Sequence, residues 1–255
     1  MKNHTRQSLI SQLSALKIDT CGTLMVHSSF KSIGPVDGGP DTVIDALTDY
    51  MKNGLLLFPT HSWSENNLPD NTYNPLVEPS CVGLLSNLFL KREGVCRSLH
   101  PSHSVAGLGH DARDFVKGES RSNTPCPRTG CWGRLYDRSA EILFIGCSLN
   151  TNTFLHSVEE WSSIPNRLAV EPRMIKVLPP DGEPYTLAFH GHYSTYGDVS
   201  HNYGKLLPLF LEKKIARQGS FGDAAVVVCR AREMGDYVTE LLKWDPDFFA
   251  DGRLS

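Results

Sequence analysis

Glu141-Ile142-Leu143-Phe144-Ile145-Gly146, followed closely by Asn150-Thr151-Asn152-Thr153-Phe154-Leu155-His156-Ser157-Val158-Glu159-Glu160, sets both the fold class and the candidate chemistry of this chain. The first run is short, apolar and closed by glycine, the pattern of a buried strand. The second opens a helix and places His156 and Glu159 three positions apart, so both side chains leave the same helical face. A carboxylate there can take the imidazole Nδ1 proton, fix the tautomer and leave Nε2 as the basic atom. An isolated His-x-x-Glu pair equally suits a surface or structural role.

Outward from this stretch, helices and strands alternate. Thr5 is placed to cap a helix that buries Leu9, Ile10, Leu13 and Leu16, and Thr23 to His27 reads as a strand. Gly38-Gly39-Pro40-Asp41 opens a helix with apolar positions Val43, Ile44, Leu47 and Met51, and Gly54 to Phe58 is a second buried strand. A parallel, right-handed strand-helix-strand unit is expected. Residues 61–80, rich in Asn, Pro and Ser, read as a long irregular surface loop. Helices are predicted at about 82–91 and 111–117. Downstream, Arg173 to Leu178, Pro180-Asp181-Gly182 and Tyr185 to Phe189 predict a hairpin that joins the parallel core. Helices over Leu206 to Arg217 and Glu233 to Lys243 flank a β-branched strand, Ala224 to Cys229. Neither a repeat nor a linker divides the chain. The expected fold class is therefore α/β, a single large domain over residues 1–255 with a mixed, partly parallel central sheet flanked by helices and an antiparallel hairpin element.

With 255 residues and 40% hydrophobic content the chain can bury a full core. A net charge of −3 leaves no electrostatic footprint for nucleic acid. No apolar stretch approaches the roughly 18 to 20 residues of a membrane helix, and the start, MKNHTRQSLISQL, lacks a signal-peptide core, so a cytoplasmic protein without a membrane partner is expected. Seven cysteines, an odd number without a C-x-x-C pair, fit reduced thiols. Cys126-x4-Cys131 is a weak metal signal.

Several further groups have chemistry in reach. At Val26-His27-Ser28-Ser29-Phe30 a strand ends before the glycine-rich stretch Gly34 to Gly39, where backbone N–H groups and hydroxyls can hold phosphate or amide groups, or where Gly and Ser simply make a turn. The Gly-Lys-Ser/Thr ending of a P-loop is missing, which disfavours nucleotide triphosphate hydrolysis. Arg97-x-x-His100-Pro101 fits either a phosphate clamp or catalytic pair, or a rigid extended corner. Cys147 and Ser148 at the strand end, near His156, are candidates for a covalent nucleophile, although no Gly-x-Ser-x-Gly elbow is present. His190-x-His192, with Asp198 and His201, has ligand types suited to zinc.

Four segments together resemble the aminoglycoside 3-N-acetyltransferase family: LMVHSSFKSIGPVDGG from Leu24 with GLLLFPTHSW from Gly54, the run Arg97-Ser98-Leu99-His100-Pro101-Ser102-His103-Ser104, and Glu141 through Glu159 to Ile164-Pro165-Asn166-Arg167. The resemblance spans roughly residues 8–190 in the family's order. It implies an acyltransferase that moves acetyl from acetyl-CoA, its cosubstrate, to an amine of an aminoglycoside or related amino sugar, with antibiotic resistance as a setting. It also implies direct transfer in a ternary complex and no metal. By the same resemblance, Ser28, Ser29, Gly34, Val36 and Thr60 contact coenzyme A. Arg97, His100 and Ser104 form a corner lining the cofactor groove, and Thr124 stands where the family has a Ser-Pro element beside it. His156 becomes the general base, oriented by Glu159, and Glu160 by its charge is a candidate for a second ammonium of the acceptor. One departure is that His190 and His192 occupy positions where the family carries acids at the acceptor, which weakens the case for a polycationic acceptor. Rival readings are a non-catalytic coenzyme A or sugar-binding relative and a zinc-dependent hydrolase built on His190 and His192. The acceptor, the acetylated position and the oligomeric state stay open.

Overall fold

A computed structural model describes residues 3–63 and 69–250. Its core is a seven-stranded mixed sheet in the order β4 (Cys96–Arg97), β5 (Val105–Gly109), β2 (Leu55–Pro59), β1 (Thr23–Ser28), β6 (Glu141–Ile145), β10 (Ala224–Arg230) and β9 (Ala216–Phe221). The three strands at its centre, β2, β1 and β6, run parallel, as the apolar runs predict. β5 and β10 pair antiparallel on either side. The central strands carry apolar runs, Leu24–Val26, Leu55–Phe58 and Ile142–Ile145, because both their faces are covered. Met25, Ile142 and Phe144 point to one core, while Leu24, Val26, Leu143 and Ile145 point to the other. On the second face lie α1 (Arg6–Ala15), α2 (Gly39–Tyr50) and α3 (Leu84–Phe89). On the first lie α4 (Ala112–Val116), α5 (Cys131–Asp137), α6 (Thr153–Trp161), α7 (Leu206–Glu212) and α8 (Ala231–Trp244). Thr5 caps α1 in a capping box with Ser8, and the helix buries Leu9 and Leu13.

Three expectations need correction. The hairpin of β7 (Arg173–Val177) and β8 (Tyr185–Phe189) does not join the parallel core: it forms a separate sheet with β3 (Thr72–Tyr73), which pairs parallel to β7. This sheet has its own small core of Tyr73, Ile175, Val177 and Phe189. The region from 61 to 80 therefore contributes a strand, and its residues 64–68 lie outside the described ones. Third, the helix expected from Leu206 to Arg217 stops at Glu212, and the chain becomes the edge strand β9. That strand exposes its middle, Gln218 to Ser220, so it has no apolar alternation to announce it. Among the described residues no helix is long and apolar enough to cross a membrane.

Candidate active site

The parallel strands β1, β2 and β6 end on one side of the sheet, where crevices of open α/β sheets form. Gly146 ends β6 with a φ of +61°, and a Cβ there would lie 2.3 Å from Ser32 Cβ, so the turn toward α6 needs glycine. The turn that follows delivers Asn152, whose side chain caps α6 by accepting from the Phe154 N–H at 3.2 Å. Phe154, Leu155 and Val158 are buried, which fixes the rotation of α6. His156 is thereby turned to a cleft of about 920 Å³. The strand ends supply Ser28, His61 and Cys147 to its walls, and the segment beyond β8 supplies His192, Asp198 and Ser200.

His156 and Glu159 come together, but not by the simple contact expected. The Nδ1 to Glu159 Oε2 separation is 3.4 Å, long for a hydrogen bond. Tyr203 stands between them: its hydroxyl lies 2.7 Å from His156 Nδ1 and donates a short hydrogen bond to Glu159 Oε2. The other carboxylate oxygen accepts from Arg167 Nε at 2.6 Å. Glu159 and Arg167 are both buried, 1% and 4% exposed, so this is an interior ion pair. Burial pushes the Glu159 carboxyl up, but the His156, Tyr203 and Arg167 partners outweigh it and hold the group below the usual carboxylate range. Burial and the adjacent carboxylate raise the Tyr203 phenol well above its ordinary value. Among the described residues nothing hydrogen-bonds His156 Nε2, which leaves that atom for a ligand in the cleft.

A second group of imidazoles surrounds this one. His192 stacks on His156 with ring centres 4.3 Å apart, His103 meets His192 edge-on at 5.0 Å, and His61 lies 4.7 Å from His103. His27 stacks on Phe144 at 5.0 Å. His27, His61 and His103 are buried, and His192 is half-buried on the cleft wall. Burial, with no carboxylate beside them, depresses each: His27 to about 3, and His61, His103 and His192 well below the ordinary imidazole value.

The other sequence candidates divide between cleft and scaffold. Ser28 lines the cleft. Ser29 begins the turn at Phe30–Ile33, and its hydroxyl accepts from Ser32 Oγ at 3.2 Å. Gly34, with φ +81°, is packed so closely that a Cβ would meet Asp223 Oδ2 at 2.0 Å, and Val36 bridges to His4. Thr60 and Ser104 are fully buried with their hydroxyls 2.9 Å apart. Arg97 ties them together, donating to Ser104 Oγ at 3.1 Å and to the Thr60 carbonyl at 2.8 Å. His100 makes the corner that its sequence allows: Nδ1 accepts from the His103 N–H at 2.8 Å, and Nε2 donates to the Thr124 carbonyl at 2.9 Å. Glu160 faces Thr124, accepting from its hydroxyl at 2.5 Å and from the Cys126 N–H at 2.9 Å, and so satisfies a second sequence candidate internally. Ser148 caps the turn into α6, and burial raises the Cys147 thiol, which works against a thiolate nucleophile.

The four donors weighed for zinc do not converge. His190 Nδ1 donates to the Ala169 carbonyl at 2.8 Å, His192 stacks on His156, and His201 sits at the surface 3.6 Å from Asp198. Among the described residues no three His, Cys, Asp or Glu side chains gather in a metal-binding group. None of the seven cysteines is in a disulfide, Cys126 and Cys131 included. Sequence reasoning missed Tyr203 and the imidazole group at His27, His61 and His103. Arg167 carries no role in the sequence motif that contains it. Tyr203 is 44 residues from Glu159 and shows no local signal, whereas the buried Arg-Glu pair follows from the order of residues 159–167 once α6 is known to end at Trp161.

Fold and site together define an α/β enzyme whose strand-end cleft holds a histidine backed, through a phenol, by an ionised carboxylate. Residues 25–243 match the model of the aminoglycoside 3-N-acetyltransferases, and the chain belongs to that family, which makes it an acyltransferase. Aminoglycoside N(3)-acetyltransferase IV of Salmonella sp is 27% identical over 249 residues, covering 96% of this chain and 89% of that one. Two solved structures share the fold at 24% identity. One is a histidine-to-alanine mutant of aminoglycoside acetyltransferase AAC(3)-IVa in complex with a gentamicin, with a TM-score of 0.83 over 98% of this chain and 92% of that one. The other is AAC-IIIb with CoASH, with a TM-score of 0.81 over 95% and 98%.

Proposed function

We propose that residues 1–255 act as one cytoplasmic acetyl-CoA-dependent N-acetyltransferase on an aminoglycoside or related amino sugar, with His156 as general base. The observation that carries this reading is the setting of His156, which lines the cleft with its Nδ1 engaged by Tyr203 and Glu159 and with no hydrogen bond to Nε2 among the described residues. An acceptor amine is mostly an ammonium near neutral pH. Nε2 removes one of its protons, the resulting amine bonds to the acetyl carbonyl carbon, the C–S bond breaks, the nitrogen gives up its second proton to the departing coenzyme A thiolate, and the proton on Nε2 passes to solvent. Holding both substrates in one cleft supplies proximity. Family membership, the coenzyme A complex of one structural neighbour and the gentamicin complex of another support these substrate classes. Ser28 on the cleft wall supports coenzyme A binding at the β1 end. We infer that Glu171 and Asp198, the other carboxylates on the wall, receive acceptor ammonium groups, with Arg173 limiting how many positive charges are tolerated.

The test is acetyl-CoA consumption over a panel of aminoglycosides and simple amino sugars, with His156→Ala as control, together with thermal protection by coenzyme A, since a ligand of the folded state stabilises by mass action. Acetylation abolished in His156→Ala but protection retained is the expected result. Turnover unchanged in that variant, or no protection of the native protein, overturns the reading.

A further inference from the structure

We propose that Tyr203 is a positioning residue that sets the tautomer of His156, and so decides which of its two nitrogens is the base; this rests on the reading of His156 given above. The argument is a count of protons. Arg167 Nε donates to Glu159 Oε1 at 2.6 Å. A carboxylate only accepts, so Oε2 takes its hydrogen from the one donor in reach at short distance, the Tyr203 hydroxyl. A phenol has a single proton. With that proton on Glu159, the phenol oxygen has only lone pairs to offer His156, 2.7 Å away, and Nδ1 must carry the hydrogen of that contact. In a neutral imidazole Nε2 is then the bare nitrogen, and it is the one turned to the cleft. Without the phenol, Nδ1 and Glu159 Oε2 are 3.4 Å apart, too far for a strong bond, and nothing holds one tautomer over the other. When Nε2 takes the acceptor proton, the imidazolium keeps its Nδ1 hydrogen on the phenol oxygen, and neither Tyr203 nor Glu159 changes protonation. Tyr203 is fully buried, edge-on to His156 at 5.0 Å and to Phe249 at 4.8 Å. It lies in the turn Val199–Lys205, whose first residues also line the cleft, so the acceptor-facing segment and the base are set by one piece of chain.

The experiment is nitrogen NMR of protein labelled in its histidine rings, with the His156 signals assigned by their loss in His156→Ala. In the native protein with a neutral His156 ring, Nδ1 should be protonated and Nε2 bare. Tyr203→Phe, which keeps the ring and removes only the hydroxyl, should mix the tautomers. It should also lower kcat by about 10-fold, a fraction of what a whole general base contributes, leave KM for acetyl-CoA unchanged and shift the acidic limb of the rate profile. A native His156 protonated on Nε2 overturns the proposal whether or not the variant folds. So does a folded Tyr203→Phe enzyme with an unmixed Nδ1-protonated ring or native kcat. Turnover that survives His156→Ala sinks the general-base reading instead, and the tautomer remains readable in that case.

Discussion

The two walls of the cleft bury ionisable groups in opposite ways. On the α6 wall, Glu159 is 1% exposed yet ionised, because Arg167 and Tyr203 each give it a hydrogen and His156 lies beside it. On the facing wall, His27, His61 and His103 are buried and His192 half-buried, with no carboxylate beside them, and they stay neutral. Desolvation is common to both, and only the supply of partners differs. In the proposed mechanism the charged wall does the proton chemistry, and the neutral wall packs against it without adding like charge to the imidazolium that forms.

The strongest test removes a partner from the charged wall. Arg167→Met leaves Glu159 buried without its cation, a change that costs about 3–5 kcal/mol in comparable interior pairs. Urea unfolding at neutral pH should show that loss. The pH dependence has a definite sign. Glu159 has a depressed folded pKa, so its contribution is fully present above the unfolded carboxyl value of about 4.3 and is lost as pH falls through the folded one. The deficit of the variant should therefore shrink below about pH 4. A loss under about 1 kcal/mol would mean that the pair does not hold this wall together.

Next in size is the base itself. His156→Ala should lower turnover on the order of 10²-fold or more with coenzyme A affinity nearly unchanged, and Glu159→Gln should cost less because Tyr203 still contacts the ring. Single-turnover rates and coenzyme A titration separate the two quantities. Equal losses in both would place His156 in binding rather than in proton removal.

The neutral wall predicts the acid side of stability. His27 is held at about 3 when folded and titrates near 6.5 when unfolded. Its contribution is complete above 6.5 and declines as pH falls toward 3, because only the unfolded chain gains the proton in that window. Each such histidine steepens the decline by about 1.4 kcal/mol per pH unit. His27→Gln should flatten the slope of unfolding free energy against pH by that amount, whatever its effect at pH 7. An unchanged slope would show that His27 is protonated in the native protein and that the walls are not opposites.

Much of the charged wall was legible in the sequence. EILFIG reads as a buried strand, and His156 and Glu159 share a helix face by spacing alone. The strands β1 and β2 were legible as short apolar runs, and the hairpin by its turn, Pro180-Asp181-Gly182. What stayed hidden was set by tertiary approach. Tyr203 reaches Glu159 across 44 residues, His103 reaches His192 across 89, and no period connects them. The separate sheet was hidden because β3 has only two residues, too few to show alternation, and β9 because its exposed middle resembles a loop.

The smallest expected effect separates two residues that the sequence could not tell apart. His190 and His192 were read as one pair standing in place of acids, but their side chains differ in position: His192 lines the cleft and stacks on His156, while the His190 ring is held by the Ala169 carbonyl and is not part of the cleft wall. A carboxylate at 192 can face an acceptor ammonium, and one at 190 cannot without breaking that hydrogen bond. An accessible charge pair is worth about 0.2–1 kcal/mol, or roughly a factor of 1.4 to 5. His192→Asp should therefore tighten equilibrium binding of a polycationic aminoglycoside by a few-fold, measured by calorimetry without acetyl-CoA so that changes at His156 do not enter. The gain should fall with added salt, as screening requires. His190→Glu should leave the affinity within about 2-fold. If instead His190→Glu gives the gain and His192→Asp does not, the acceptor lies outside the cleft wall that carries His156, and the two walls do not enclose one substrate site.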